Sequence, residues 1–116
     1  VAVTNCMASY HDAGHGLPTA ILYTCVLPAV FEEIAFRGII QRGLQRVARP
    51  IEAVALTAIL FAIIHVSVFS GPYLFLLGLV LGWLRLRGGS LLPCVVVHFL
   101  HNFVVLLADQ HELLCT

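Results

Sequence analysis

Hydrophobic and polar positions divide this chain into four apolar runs separated by short polar breaks. Residues 1–16 are mixed, with "HDAGHG" reading as a polar turn or loop. From Leu17 to about Arg46 the chain is apolar without a clear turn signal, apart from Pro28, which removes one backbone hydrogen bond and predicts a kink. "VARP" at 47–50 breaks the pattern, and residues 51–69 form a second run that ends at "SGP", 70–72. A third, shorter run covers 73–86 and ends at "RGGS", 87–90. Ser90 can cap a fourth helix reaching about Ala108, with Pro93 tolerated in its first turn. Spans of about 17–25 apolar residues cross a bilayer. The second and fourth runs meet that length, the third is short, and the first carries charges that need a reason. The expected fold is all-α: a multi-pass transmembrane bundle with a core of about four helices. Residues 1–18 would be an N-terminal connector, 19–108 the core and 109–116 a C-terminal tail. No internal repeat or low-complexity tract is visible.

Composition supports a membrane setting. The hydrophobic share is 60%, the charged share 10% and the mean hydropathy +1.00, whereas a soluble chain is about a quarter charged. Net charge is zero and there is no basic tract, so nothing points to nucleic acid. The chain opens on Val1 without a basic leader, and reads as a piece of a longer protein lacking N-terminal helices. All six cations are arginines. Arg42, Arg46 and Arg49 follow the first run, and Arg85 and Arg87 follow the third. In an up-down-up-down bundle these clusters share one side, which the positive-inside rule makes cytoplasmic. Trp83, close to the second cluster, reads as an interfacial anchor. The four cysteines lack CxxC spacing; Cys25 and Cys94 lie in apolar runs, as small hydrophobes do.

Arg37 is the exception to that charge pattern, and it belongs to "AVFEEIAFRG", residues 29–38. Charges inside a membrane segment face a protein interior or cavity and mark a site. Glu33 and Arg37 are four apart in the favourable order for an ion pair. Glu32 points about 100° away, so one carboxylate can be structural while its neighbour stays available. Glu32 lies about 21 Å from the basic end of its helix, and His65 about 21 Å from the same side. His98 and Asn102, four apart on the fourth helix, lie about 12 and 18 Å from that side. Four polar groups from three helices therefore fall in one slab. A carboxylate, two histidines and an amide at one depth fit hydrolysis. Glu32 can accept a proton from water, with His65 orienting the water or shuttling the proton. His98 and Asn102 can donate hydrogen bonds to the oxyanion formed when water attacks a peptide carbonyl.

At these residues the chain resembles the CPBP family, the CAAX proteases and bacteriocin-processing enzymes also called Abi proteins. The family pattern is EExxxR, FxxxH and then HxxxN or HxxxD. Here it reads Glu32-Glu33-xxx-Arg37, Phe61-xxx-His65 and His98-xxx-Asn102, on successive apolar segments over about residues 19–108. The resemblance implies an all-α intramembrane endopeptidase of the glutamate type. Glu32 and His65 would activate water, His98 and Asn102 would stabilise the oxyanion, and Glu33, Arg37 and Phe61 would support them. It implies a peptide or protein substrate, prenylated in the CAAX-processing branch, membrane lipids as surroundings, and no cofactor. A bacterial plasma membrane is the expected host.

Other readings compete. Glu33 and Arg37 can be a structural pair, Glu32 an interhelical hydrogen-bond group, and Phe61 packing alone. Glu32, His65 and His98 can alternatively hold zinc as three ligands plus water. His98 and His101 share a face, but "HFLH" lacks the glutamate of HExxH. His11, Asp12 and His15 form a weaker metal candidate, and Cys25 a weak thiol nucleophile without an assigned base. At the level of function the rivals are a non-catalytic immunity or scaffold protein, a zinc metalloprotease and a transporter.

Overall fold

The computed structural model describes Gly14, residues 16–65 and residues 71–115, with side chains as far as Ala108. Among these residues the chain is all-α and forms four helices: α1 (Leu17–Leu44), α2 (Pro50–Ile64), α3 (Gly71–Gly88) and α4 (Leu92–Cys115). Residues 66–69 of the second apolar run, the His11/Asp12/His15 group and the side chains of the tail lie outside the described residues.

The helix ends follow the local chemistry. Pro50 opens α2, where its missing N–H costs nothing, and Glu52 accepts from the Arg49 backbone N–H at 3.3 Å. Ser90 Oγ accepts from the Leu92 N–H at 3.0 Å, as its position ahead of Pro93 suggested. Gly89 sits at φ +64°, a conformation that lets the chain turn from α3 into α4 without a Cβ penalty. α3 is longer than its apolar core because Gly71 and the basic Arg85–Gly88 segment stay helical. α4 continues past Ala108 to Cys115.

α1 is continuous but not uniform. Two π-helical stretches, Leu22–Val26 and Ile34–Ile40, alternate with α-helical Leu27–Glu33 and Gln41–Leu44. The first ends with the Leu27 N–H reaching the Leu22 carbonyl, just before Pro28. The looser turn lies next to the proline's missing donor, where the sequence predicts a kink, and the helix continues through it. The second stretch contains Arg37. Glu33, Arg37 and Gln41, successive residues four apart, are all fully buried along this part of the helix.

α2 and α3 run antiparallel in close contact. A Cβ placed on Gly78 would lie 3.0 Å from the Ala58 Cα, and one on Gly82 would lie 2.8 Å from Val54 Cγ1. α1 runs parallel to α3, with Arg37 opposite Gly78 and Gln41 opposite Gly82. α4 returns antiparallel to α1, bringing Leu91 against Gly38 and His98 against Glu33. The result is the expected up-down-up-down order.

The polarity of the bundle is inverted relative to a soluble protein. Glu33, Arg37 and Gln41 are fully buried, while Phe31, Ile39, Ile51, Ile63, Leu92 and Val104 point outward. An exterior this apolar is suited to lipid or to further protein. Among the described residues one helix, α1, is long and apolar enough to cross a membrane, by length and composition; Pro50–Ile64 and Leu92–Ala108 are shorter apolar helices. Of the second and fourth runs, both expected to reach spanning length, the described helical parts are Pro50–Ile64 and Leu92–Ala108, about 22 and 25 Å long.

Candidate active site

The site is built on a buried polar stripe along α1. Arg37 donates from one terminal nitrogen to Glu33 Oε1 at 3.1 Å, and from the other to the Gly78 carbonyl at 3.0 Å. One turn further on, Gln41 Nε2 donates to the Gly82 carbonyl at 3.1 Å. The glycines allow this because no side chain stands between α1 and the α3 backbone: a Cβ on Gly78 would lie 3.3 Å from the guanidinium, and one on Gly82 3.0 Å from Gln41 Oε1. Burying a lone guanidinium would be prohibitive, and pairing with hydrogen bonding is what makes it tolerable. The stripe therefore fixes α1 against α3 in both register and rotation.

Glu33 has a second partner that the sequence did not disclose. Its Oε1 also lies 2.7 Å from His98 Nδ1. A carboxylate accepts, so the His98 Nδ1–H donates, and the ring's Nε2 is turned toward Glu32 Oε2 at 3.6 Å. On the other side of Glu32, His65 Nε2 lies 3.1 Å from Oε1. His65 is fixed in the same manner: its Nδ1–H donates to the Phe61 carbonyl at 2.7 Å, one turn back on α2. With both Nδ1 protons committed, a neutral His65 and an ionised Glu32 would face each other as two acceptors. The 3.1 Å contact therefore needs a proton shared between them.

The two halves of the acidic doublet differ in access. The Glu33 side chain is fully buried, whereas Glu32 and His65 are each 29% exposed. Glu32 can meet a solvent molecule or a substrate; Glu33 cannot.

Phe61 is the packing centre of this arrangement. Its ring meets Phe36 edge-on at 5.3 Å, His98 edge-on at 5.8 Å and His65 at 4.5 Å. The Arg37 guanidinium carbon lies 4.7 Å over the same ring, within cation–π range. Phe61 thus touches both histidines and the buried cation, and its backbone carbonyl orients His65 as well.

Glu32, His65 and His98 are brought together, and Glu33, Arg37 and Phe61 surround them. Asn102 is half-buried one turn beyond His98, and its Oδ1 lies 3.3 Å from His101 Nδ1 rather than on the cluster. His101 faces Tyr73, with ring centroids 5.4 Å apart. Cys25 and Cys94 are buried free thiols: Cys25 neighbours Thr24 at 3.6 Å and Cys94 donates to the Leu81 carbonyl at 3.3 Å. Among the described residues, no group of three His, Cys, Asp or Glu side chains is arranged to hold a metal ion.

Sequence reasoning missed Gln41, Gly78 and Gly82, and did not connect Glu33 with His98. Signals for the first three were present. Gln41 is a lone amide four residues after Arg37, and Gly78-xxx-Gly82 has the small-residue spacing that lets helices approach closely.

Comparison with known proteins adds one result to this geometry. Searches of curated proteins and of solved structures find no match to the chain. A family model matches residues 14–104, which include the whole buried polar stripe, all three site motifs and every helix-to-helix contact described above. The chain accordingly belongs to the type II CAAX prenyl endopeptidase Rce1-like family, a membrane-associated family of proteases.

Proposed function

We propose that this chain carries the catalytic core of an intramembrane endopeptidase in which Glu32 and His65 activate water against a peptide carbonyl. The observation that carries the reading is the Glu32 carboxylate, partly exposed, held 3.1 Å from His65 Nε2 and facing His98 Nε2. Water bound at Glu32 loses a proton to the Glu32 carboxylate, beside a His65 ring that carries the proton their 3.1 Å contact requires, as the water oxygen attacks the carbonyl carbon. The C=O electron pair moves to oxygen, and donors from His98 and Asn102 stabilise the oxyanion. Collapse breaks the C–N bond, and the proton held by the pair passes to the leaving amine. Because His98 Nδ1–H is committed to Glu33, donation from Nε2 requires the doubly protonated ring. With that charge and the proton shared by Glu32 and His65, the five groups Glu32, Glu33, Arg37, His65 and His98 sum to +1.

The family supports a CAAX-type substrate, a prenylated protein or peptide cut near its C-terminus; bacteriocin-related processing is the alternative within the same chemistry. Four helices crossing a bacterial plasma membrane, with Arg42, Arg46, Arg49, Arg85 and Arg87 on the cytoplasmic side, would set the site below the lipid surface. No cofactor takes part in this route. Zinc on Glu32, His65 and His98 is the competing chemistry, and metal analysis of the purified protein with activity after chelation separates the two.

The test replaces Glu32 by Gln and follows cleavage of a prenylated CAAX peptide by protein in membranes. A fall of at least about a hundredfold, with unchanged thermal unfolding, is expected. Preserved cleavage would exclude Glu32 as the base and favour a non-catalytic scaffold role for the cluster.

A further inference from the structure

At the opposite end of the bundle, a cleft of about 290 Å³ opens between the end of α1 and the end of α3, lined by Arg42, Gln45, Arg85, Leu86 and Gly89. It is separate from the catalytic cluster: Arg42 is ten residues along α1 from Glu32, about 15 Å. Two guanidinium groups and an amide line one wall-to-wall opening, which is the donor set for a tetrahedral oxyanion. Arg85 Nε is buried and has no hydrogen-bond partner. Among the described residues this end carries five arginines against Glu52 alone, and Glu52 is taken by Arg49 at 3.0 Å. Neither Arg42 nor Arg85 therefore has a carboxylate partner among the described residues.

The surroundings indicate where the anion comes from. Trp83, 54% exposed with Arg87 stacked 5.7 Å over its ring, stands half a turn from Arg85 on the outward face. An exposed tryptophan beside arginines belongs at the headgroup level of a bilayer. Outward from the same helix ends, Ile39, Ile51 and Val80 present apolar surface suited to acyl chains.

We infer that the cleft between Arg42 and Arg85 binds the phosphate of an anionic phospholipid headgroup, with Gln45 as an additional donor. Such a site would tie the ends of α1 and α3 together at the interface, as basic pockets between helices do elsewhere.

The test purifies the full chain into nanodiscs of phosphatidylcholine with phosphatidylglycerol, then counts retained lipids by native mass spectrometry. Retention of one phosphatidylglycerol over phosphatidylcholine is expected, reduced about tenfold in R42Q/R85Q and nearly unchanged in R46Q/R87Q, which removes the same charge. Equal loss in both double variants, or no headgroup preference in the parent, would overturn the site. Displacement of the lipid by low-millimolar inorganic phosphate would reassign the cleft to a free anion and overturn the lipid inference.

Discussion

Glu33 Oε1 lies 2.7 Å from His98 Nδ1 and 3.1 Å from the Arg37 guanidinium, so one buried oxygen joins the cation of α1 to the imidazole of α4. The residue that looked like the counter-ion of Arg37 is also the group that fixes the tautomer and rotation of His98. Its neighbour Glu32 is left with one histidine on each side.

Removing the charge on Glu33 should therefore damage folding before chemistry. Glu33→Gln leaves Arg37 buried beside a neutral amide and weakens the His98 contact. Breaking a buried pair typically costs about 3–5 kcal/mol. Thermal unfolding in detergent should report a large loss for Glu33→Gln and little for Glu32→Gln, reversing the order expected from activity alone. Equal stabilities would show that Arg37 has other adequate partners.

The glycine pair on α3 predicts a steric effect. Gly78→Ala places a methyl 3.0 Å from the Ala58 backbone, which cannot yield, and 3.3 Å from the buried, hydrogen-bonded Arg37 guanidinium. Overpacking of this kind costs about 1–3 kcal/mol. Gly43→Ala, whose Cβ would meet nothing within 4 Å, is the matched control and should be neutral or slightly stabilising. Unfolding midpoints of the two variants measure the difference.

Phe61 should matter to stability and to activity through separate properties of its ring. Phe61→Ala opens a cavity among Phe36, His65, His98 and Arg37, with an expected loss of about 3–5 kcal/mol. Phe61→Leu restores much of the volume but not the cation–π contact, so it should recover most of the stability. A leucine variant as unstable as the alanine variant would assign the effect to the ring's electrostatics instead.

Asn102 offers a cleaner test of the oxyanion role, because its described side-chain contact is only to His101. If it donates in the transition state, Asn102→Ala lowers kcat by about 10²–10³ with KM nearly unchanged. His101→Leu should keep most of the activity. Steady-state kinetics on a prenylated peptide distinguish the two; full activity of Asn102→Ala would leave His98 as the donor from α4.

Much of the site could be read along the chain. The apolar runs set four helices, because an i to i+4 backbone hydrogen-bond pattern is a local property that twenty apolar residues readily satisfy. The spacing Glu33-xxx-Arg37 placed an acid and a base on one face, and counting 1.5 Å per residue put Glu32 and His65 at one depth with Asn102 nearer to it than His98, although packing brings His98 to the cluster. Those inferences need only helix geometry. What lay beyond them depended on rotation about each helix axis and on contacts between helices. The Glu33–Arg37–Gln41 stripe met the bare backbone at Gly78 and Gly82, which received it. Tertiary packing then gave Glu33 to His98, left Glu32 accessible between two imidazoles, and turned Asn102 toward His101. Depth along a helix is cumulative and visible in a sequence; azimuth is decided where side chains of different helices compete for the same space.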